Sequence, residues 1–331
     1  MHKRDIVRDL GQLFVMGFDG LEVPPDVEEF FATFRIGGVI LFRDNFEEPA
    51  QLTKLIDRLQ ARCASGLPLF VFVDQEGGEL QNFRSGFPSL PAAATLGEGD
   101  PAGTQAAHTA MARALGDVGV NVTTVPVADL SAAGTPGSIG SRSFGTDPEI
   151  VSRHVVATVE AVQAAGLLSC VKHFPGHGAT TGDSHRELPL SEIPALELFR
   201  DHLEPFRAAI AAGVDAVMTA HVVYGQSPDP VTPASLSAYW VEEVLRDHLR
   251  FGGLIVTDAL EMKALRRNWS PFECGLQALN AGSDVLVYYR EAFQFDAFNR
   301  VRYHVDAGDF ELGRIAASID RVRAAKEPLS G

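Results

Sequence analysis

Residues 167–174, LLSCVKHF, change character within one short run: apolar and small side chains lead into Lys172 and His173 before Phe174 closes it. An apolar run without polar alternation is the pattern of a parallel strand buried on both faces, and a charged end marks where it opens onto something polar. Seven other runs behave similarly: QLFVMGF (12–18), GGVILF (37–42), LFVFVD (69–74), NVTTVPV (121–127), DAVMTAHV (215–222), GLIVTDAL (253–260) and DVLVYY (284–289). Between them the periodicity predicts helices over Val27–Phe34, Pro49–Ala64, Ala102–Val118, Pro148–Ala165, Ile193–Ala212, Ala238–Leu249 and Pro271–Ala281, with a further helical region ending near Ala325. Asp147-Pro148 and Ser270-Pro271 read as helix starts, because proline's fixed φ suits the first helical turn.

Strand and helix alternating eight times predict an α/β protein, a (β/α)8 TIM barrel, with an open doubly wound sheet as the alternative. The polar residues separate the two. Asp74-Gln75-Glu76 follow the third run, Asp129 and Arg142 the fourth, Lys172 and His173 end the fifth, His221 the sixth and Asp258 the seventh. Contributions from five strand ends suit a ring facing one central pocket better than a crevice at one switch point. No linker, low-complexity tract or internal repeat divides the chain, so residues 1–331 are expected to form a single catalytic barrel domain without a second.

At 46% hydrophobic residues the chain can bury a large core, and its formal net charge of −15 opposes binding to nucleic acid or to an anionic membrane surface. A small neutral substrate is unaffected. Three widely spaced cysteines, Cys63, Cys170 and Cys274, fit a reduced compartment better than a disulfide framework. Asp5, Arg8 and Asp9 interrupt any signal-like apolar stretch at the N-terminus, and no apolar run reaches membrane-spanning length, so a cytoplasmic location is expected.

Two carboxylates invite a functional reading. Asp258, at the end of GLIVTDAL, suits either a helix N-cap or a catalytic group, and Asp74 invites the same choice beside Gly77 and Gly78, where a ligand can approach the backbone closely. The fourteen residues KHFPGHGATTGDSH (172–185) carry three histidines and an aspartate. His173, His177, Asp183 and His185, with His221, have the residue types of a zinc site, yet Pro175 and Gly176 keep the first two from sharing a helical face. Histidines that merely satisfy loop backbone groups are a second reading, and proton transfer is a third. One residue separates Asp183 from His185, so in extended chain both point the same way, and a carboxylate beside an imidazole fixes its tautomer and raises its basicity. His185 then suits a general acid and base near neutral pH.

These residues together resemble the β-N-acetylglucosaminidases of glycoside hydrolase family 3. That family's long signature stands here as KHFPGHGATTGDSH, its EGG motif as VDQEGGELQNF (73–83), its PVxD as PVADL (126–130) and its IGxRSF as IGSRSF (139–144). AHVVY (220–224), PASLS (233–237) and GLIVTDALEMKAL (253–265) follow in family order. The resemblance implies a retaining, metal-independent and cofactor-free mechanism on a barrel. Asp258 is then the nucleophile and His185, oriented by Asp183, the acid/base. It also implies that Lys172, His173, Asp74 and Arg142 hold sugar hydroxyls, that His221 and Met262 contribute to the subsite wall, and that the partner is a small carbohydrate, in many members an N-acetylglucosaminyl bond of a cell-wall muropeptide.

Two departures bear on specificity. The family's EGGRVQR reads EGGELQN here, with Glu79 and Asn82 in place of arginines and Arg84 two residues further on, and Ser141 replaces a common aspartate. Asn82 lacks the guanidinium fork, so a sugar contact is lost or altered. Alternative readings are a phosphorylase or β-glucosidase of the same family, a metal-dependent hydrolase, or a sugar-binding protein without turnover.

Overall fold

The computed structural model describes the chain except residues 64, 132–138, 179, 181–187, 290 and 331. Each of the eight apolar runs contains one barrel strand: β1 Phe14–Met16, β2 Gly38–Leu41, β3 Phe70–Val73, β4 Val122–Thr123, β5 Leu168–Phe174, β6 Ala216–Thr219, β7 Leu254–Thr257 and β8 Leu286–Tyr288. All pair in parallel, in the order β7-β6-β5-β4-β3-β2-β1-β8. A bridge between Val256 and Val285 joins the two ends of that order, reinforced by Thr257 N–H donating to Val285 O at 2.9 Å and Leu260 N–H to Val287 O at 3.0 Å. The sheet is therefore a ring, as the distribution of polar strand ends requires. The strand residues are buried on both faces, which accounts for the lack of polar alternation.

Strand β5 is irregular where its sequence changes character. Its register against β6 shifts between Val171 and Phe174, and the Lys172–His173 peptide is cis. In a regular strand two successive side chains point to opposite faces. Here both Lys172 and His173 line the cavity at the strand ends.

The helices follow the periodicity, with local corrections. Asp147 caps Pro148–Ala164 by accepting from Glu149 N–H at 2.8 Å and Ile150 N–H at 3.1 Å. Ser270 and Glu273 form a reciprocal capping box on Pro271–Ala281. The expected helix over Ile193–Ala212 is instead broken into Ala195–Glu197, a π-helical turn Leu198–His202, and Glu204–Ala211. Pro205 has no N–H to continue the ladder, and Leu203 N–H reaches back to Leu198 O at 3.0 Å. The last helical region is two helices, Glu291–Ala307 and Leu312–Lys326, parted at Gly308, whose φ of 91° ends the first. Among the described residues no helix is long and apolar enough to cross a membrane.

Candidate active site

At the C-terminal ends of the strands lies a cavity of about 310 Å³. One side is apolar, formed by Ile40, Phe42, Met218, Met262, Val287 and Tyr289. The other is polar, formed by Asp74, Glu76, Asn82, Arg142, Lys172 and His173, and Asp258 also opens onto the cavity. A pyranose has the same division, apolar ring faces and a polar edge of hydroxyls.

The polar side is a single network drawn from three strand ends, those of β3, β4 and β5. Lys172, almost wholly buried, sends its ammonium to Asp74 Oδ1 at 2.8 Å, Glu76 Oε1 at 2.6 Å and Thr124 Oγ1 at 3.0 Å. The Thr124 hydroxyl donates in turn to Asp74 Oδ1. Glu76 also receives both arms of Arg142, Nε on Oε2 at 2.7 Å and Nη2 on Oε1 at 2.9 Å. Burial alone would raise the Glu76 carboxyl, but Lys172 and Arg142 outweigh it and hold the group at about 2. Burial works against the Lys172 charge as well, and there Asp74 and Glu76 win, so the ammonium lies above its usual range.

Arg142 Nη2 lies 3.2 Å from His173 Nε2, and His173 Nδ1 lies 2.7 Å from Asp129 Oδ2. A guanidinium can only donate, so Nε2 is the acceptor and the imidazole proton sits on Nδ1, donating to Asp129. Asp129 is fully buried and accepts in addition from the N–H of His177 at 2.6 Å. Burial pushes its carboxyl up, yet His173 and His177 hold it below the usual range. Burial pushes His177 down to about 4, so it is neutral at pH 7. Counting the described groups, two cations (Lys172, Arg142) meet four carboxylates (Asp74, Glu76, Asp129, Asp258), and the pocket is net negative. Such a field favours a neutral ligand that develops positive charge.

Asp258 stands just beyond β7. Its Oδ1 accepts from its neighbour Ala259 N–H at 2.7 Å, and its own N–H donates to Thr219 O at 3.3 Å. Burial would raise its carboxyl, but His221, His173, the Ala259 amide and Lys172 together bring it below the usual range, so it is ionised at neutral pH. The helix that follows spans Lys263–Arg266 with Met262 at its N-cap position, so the carboxylate is not spent on a helix end. The N-cap reading of Asp258 is thereby removed.

His221 is set back from the cavity wall. It is buried, with Nε2 2.9 Å from Ala259 O and Nδ1 2.7 Å from Ser235 Oγ, so it braces the turn that carries Asp258. Met262 does line the cavity. Asn82 also lines it but is engaged in bracing: Nδ2 donates to Asp74 O at 2.6 Å and Oδ1 accepts from Arg43 N–H at 3.2 Å. Arg84 does not stand in for the missing arginine, since its guanidinium caps the carbonyls of Gly78 and Glu79, each at 3.0 Å.

Asp183 and His185 lie outside the described residues. The rings of His173 and His177 are 5.7 Å apart, but with Nε2 of His173 facing a guanidinium and Nδ1 committed to Asp129, His173 is poorly placed to ligate a metal. Two members of the polar network have no role in the sequence reading, Glu76 and Asp129. Each is a carboxylate shortly after a strand, Asp129 directly among apolar neighbours, and that was the available signal; their partners lie too far along the chain to be read from spacing.

The profile of the Glycosyl hydrolase family 3 N terminal domain matches residues 6–325. A beta-hexosaminidase of Glaesserella parasuis is 35% identical over 281 residues, covering 84% of this chain and 81% of that protein. Among solved structures, a family 3 beta-N-acetylglucosaminidase from Paenibacillus sp. superposes with a TM-score of 0.94 at 38% identity over 97% of this chain, which spans 62% of that longer protein. A beta-N-acetylhexosaminidase from Beutenbergia cavernae superposes with a TM-score of 0.90 at 30% identity, covering 97% of this chain and 98% of its own.

Proposed function

Because the chain belongs to glycosyl hydrolase family 3 and is a beta-hexosaminidase, we propose that it removes terminal β-linked N-acetylglucosamine with retention of configuration, muropeptides included, acting as one barrel domain over residues 1–331. Asp258 attacks the anomeric carbon as the bond to the leaving oxygen breaks, and that oxygen takes a proton from His185, which Asp183 orients. The glycosyl-enzyme ester is then opened by water, whose proton returns to His185 as the new C–O bond forms and the Asp258 carboxylate leaves. Asp74, Lys172, His173 and Arg142 hold the sugar hydroxyls, Asn82 flanks them, and Met262 gives an apolar wall, with His221 acting through the Asp258 turn.

One observation carries this reading: an ionised carboxylate at the end of β7 shares a cavity with a locked, hydroxyl-binding cluster at β3 and β5. The negative field of the pocket supports it too, since the transition state resembles an oxocarbenium ion. The same field disfavours phosphate as the acceptor and so favours hydrolysis over phosphorolysis. A cytoplasmic setting agrees with three free cysteines among the described residues, two of them buried.

The anomer released first, followed by proton NMR, tests the mechanism. Initial β-N-acetylglucosamine is the expected product, and initial α-anomer would refute a covalent intermediate on Asp258. Against aryl glycosides, the N-acetylglucosaminide should exceed the glucoside in kcat/KM; parity would argue for a β-glucosidase.

A further inference from the structure

Asp258 is carried by a turn that the rest of the barrel grips through its backbone. Asp258 N–H donates to Thr219 O at 3.3 Å and Leu260 N–H to Val287 O at 3.0 Å, so the ends of β6 and β8 hold the turn from either side. Between those two holds, the Ala259 carbonyl lies 2.9 Å from His221 Nε2. A carbonyl only accepts, so Nε2 carries a proton and donates it. This is the hold that depends on a side chain, and therefore on how that side chain is aimed.

Ser235 aims it. The Ser235 hydroxyl lies 2.7 Å from His221 Nδ1, donating to a neutral ring or accepting from a charged one, and among the described residues it has no other hydrogen-bond partner. Ser235 is fully buried and His221 is 1% exposed, so bulk water does not compete for either group. The hydroxyl stands on the short 3-10 turn Ala234–Leu236. That turn lies along the backbone around His221: Ala234 N–H donates to Val222 O at 2.9 Å and Ser235 N–H to Ala220 O at 3.0 Å. Ala220 N–H donates in turn to Phe174 O at 2.8 Å, which ties the assembly to β5. The carbonyls on both sides of His221 are thus taken by the turn that presents the hydroxyl to its ring.

We propose that Ser235 is a positioning residue for the nucleophile: its hydroxyl fixes the His221 ring, the ring fixes the Ala259 carbonyl, and the turn so held fixes where the Asp258 carboxylate stands in the cavity. The inference rests on the assignment of Asp258 as nucleophile made above. Neither Ser235 nor His221 lines the cavity, so sugar binding by the cluster at β3 to β5 is left alone. A nucleophile held slightly out of line costs rate rather than affinity.

A 5-fluoro-β-N-acetylglucosaminyl fluoride tests this. The Asp258 oxygen bonds to C1 as fluoride leaves with the C–F electron pair, a departure that needs no acid, and the resulting ester opens slowly enough for its formation to be followed as inactivation. In Ser235→Ala the inactivation rate constant should fall about tenfold, the loss that one buried hydrogen bond can carry, with the binding constant of the inactivator within about twofold of wild type. In His221→Ala it should fall at least as far. Adding Ser235→Ala to that variant should change the constant less than about twofold, because the hydroxyl then has no ring to aim.

An unchanged rate constant in Ser235→Ala, a loss confined to binding, or a full tenfold loss retained in the His221→Ala background would each overturn the role. The constant is first-order, so a smaller folded fraction does not mimic the loss. Peptide mapping of the labelled wild type keeps this result apart from the mechanism beneath it: an ester on Asp258 upholds the nucleophile, whereas a label elsewhere would remove that assignment and this inference with it.

Discussion

The two rims of the barrel both bury ion clusters, and they use them differently. At the N-terminal rim, Asp284 is fully buried and accepts from Arg321 and Ser318 at 2.8 Å, from Ile255 N–H at 2.9 Å, and from Arg246. Asp9 is held there by Arg8, Arg35 and Arg323, and Lys326 reaches under β2 to Gln12 Oε1 and Gly37 O at 2.9 and 2.7 Å, over the ring of Phe70. These partners belong to the packing between the last helix and the strand starts. At the C-terminal rim the cations are as tightly held, but the network faces a cavity, and Asp74 keeps 31% of its side chain exposed. Locked charge secures the fold at one end and prearranges a binding surface at the other. Location on the barrel, rather than the residues themselves, separates the two uses.

Three measurements bear on that contrast. Asp258→Asn should lower kcat by about four orders of magnitude while the chain stays folded, with a thermal midpoint no higher than that of the wild type, since the neighbours of Asp258 favour its ionised form in the fold. A variant that unfolds, or retains more than about a hundredth of the wild-type rate, would erase the distinction between the rims. Asp284→Asn should do the reverse. It strands Arg246 and Arg321, at a cost of about 3–5 kcal/mol in urea unfolding, with kcat per folded molecule within about twofold of wild type. A large rate loss in folded protein would show that the lower rim reaches the chemistry.

The third measurement uses pH. Glu76 titrates at about 2 in the folded chain against an ordinary 4.5, so the stability it contributes is present above 4.5 and is lost as pH falls toward 2. That contribution is on the order of 3 kcal/mol, and the elevated Lys172 reports the same attraction from its other side, so the two do not add. Glu76→Gln should flatten this part of the acid stability curve and lower kcat/KM, because Lys172 and Arg142 lose their shared counter-charge. Identical curves for variant and wild type between pH 3 and 6 would mean that the Glu76 carboxylate contributes no stability through its charge.

The ring was legible because its strands are buried on both faces, which writes them as uninterrupted apolar runs; every such run holds a strand. Asp74, Lys172, His173 and Asp258 were legible because charge directly after such a run has few structural reasons to be there. The internal pairings were not. Glu76 meets Lys172 and Arg142, and Asp129 meets His173, only once β3, β4 and β5 lie side by side, and no local period records that adjacency. The braced state of Asn82 and the recess of His221 were hidden for the same reason: each depends on a neighbouring loop. The helix breaks at Pro205 and Gly308 were passed over although their cause is local, because the apolar periodicity runs on across both.

Ring closure also sets an order of events in time. Strands β2 to β5 each pair with the strand made just before, so the half of the barrel bearing Asp74 and Lys172 can assemble early during synthesis. Strand β8 must return from residue 286 to lie beside Phe14 and must also meet β7, which makes closure the most long-range step of folding. That same step completes the cavity that Asp258 shares with Asp74 and Lys172. Turnover during refolding is therefore a clock for the last act of assembly, and it cannot start before the first strand has found the eighth.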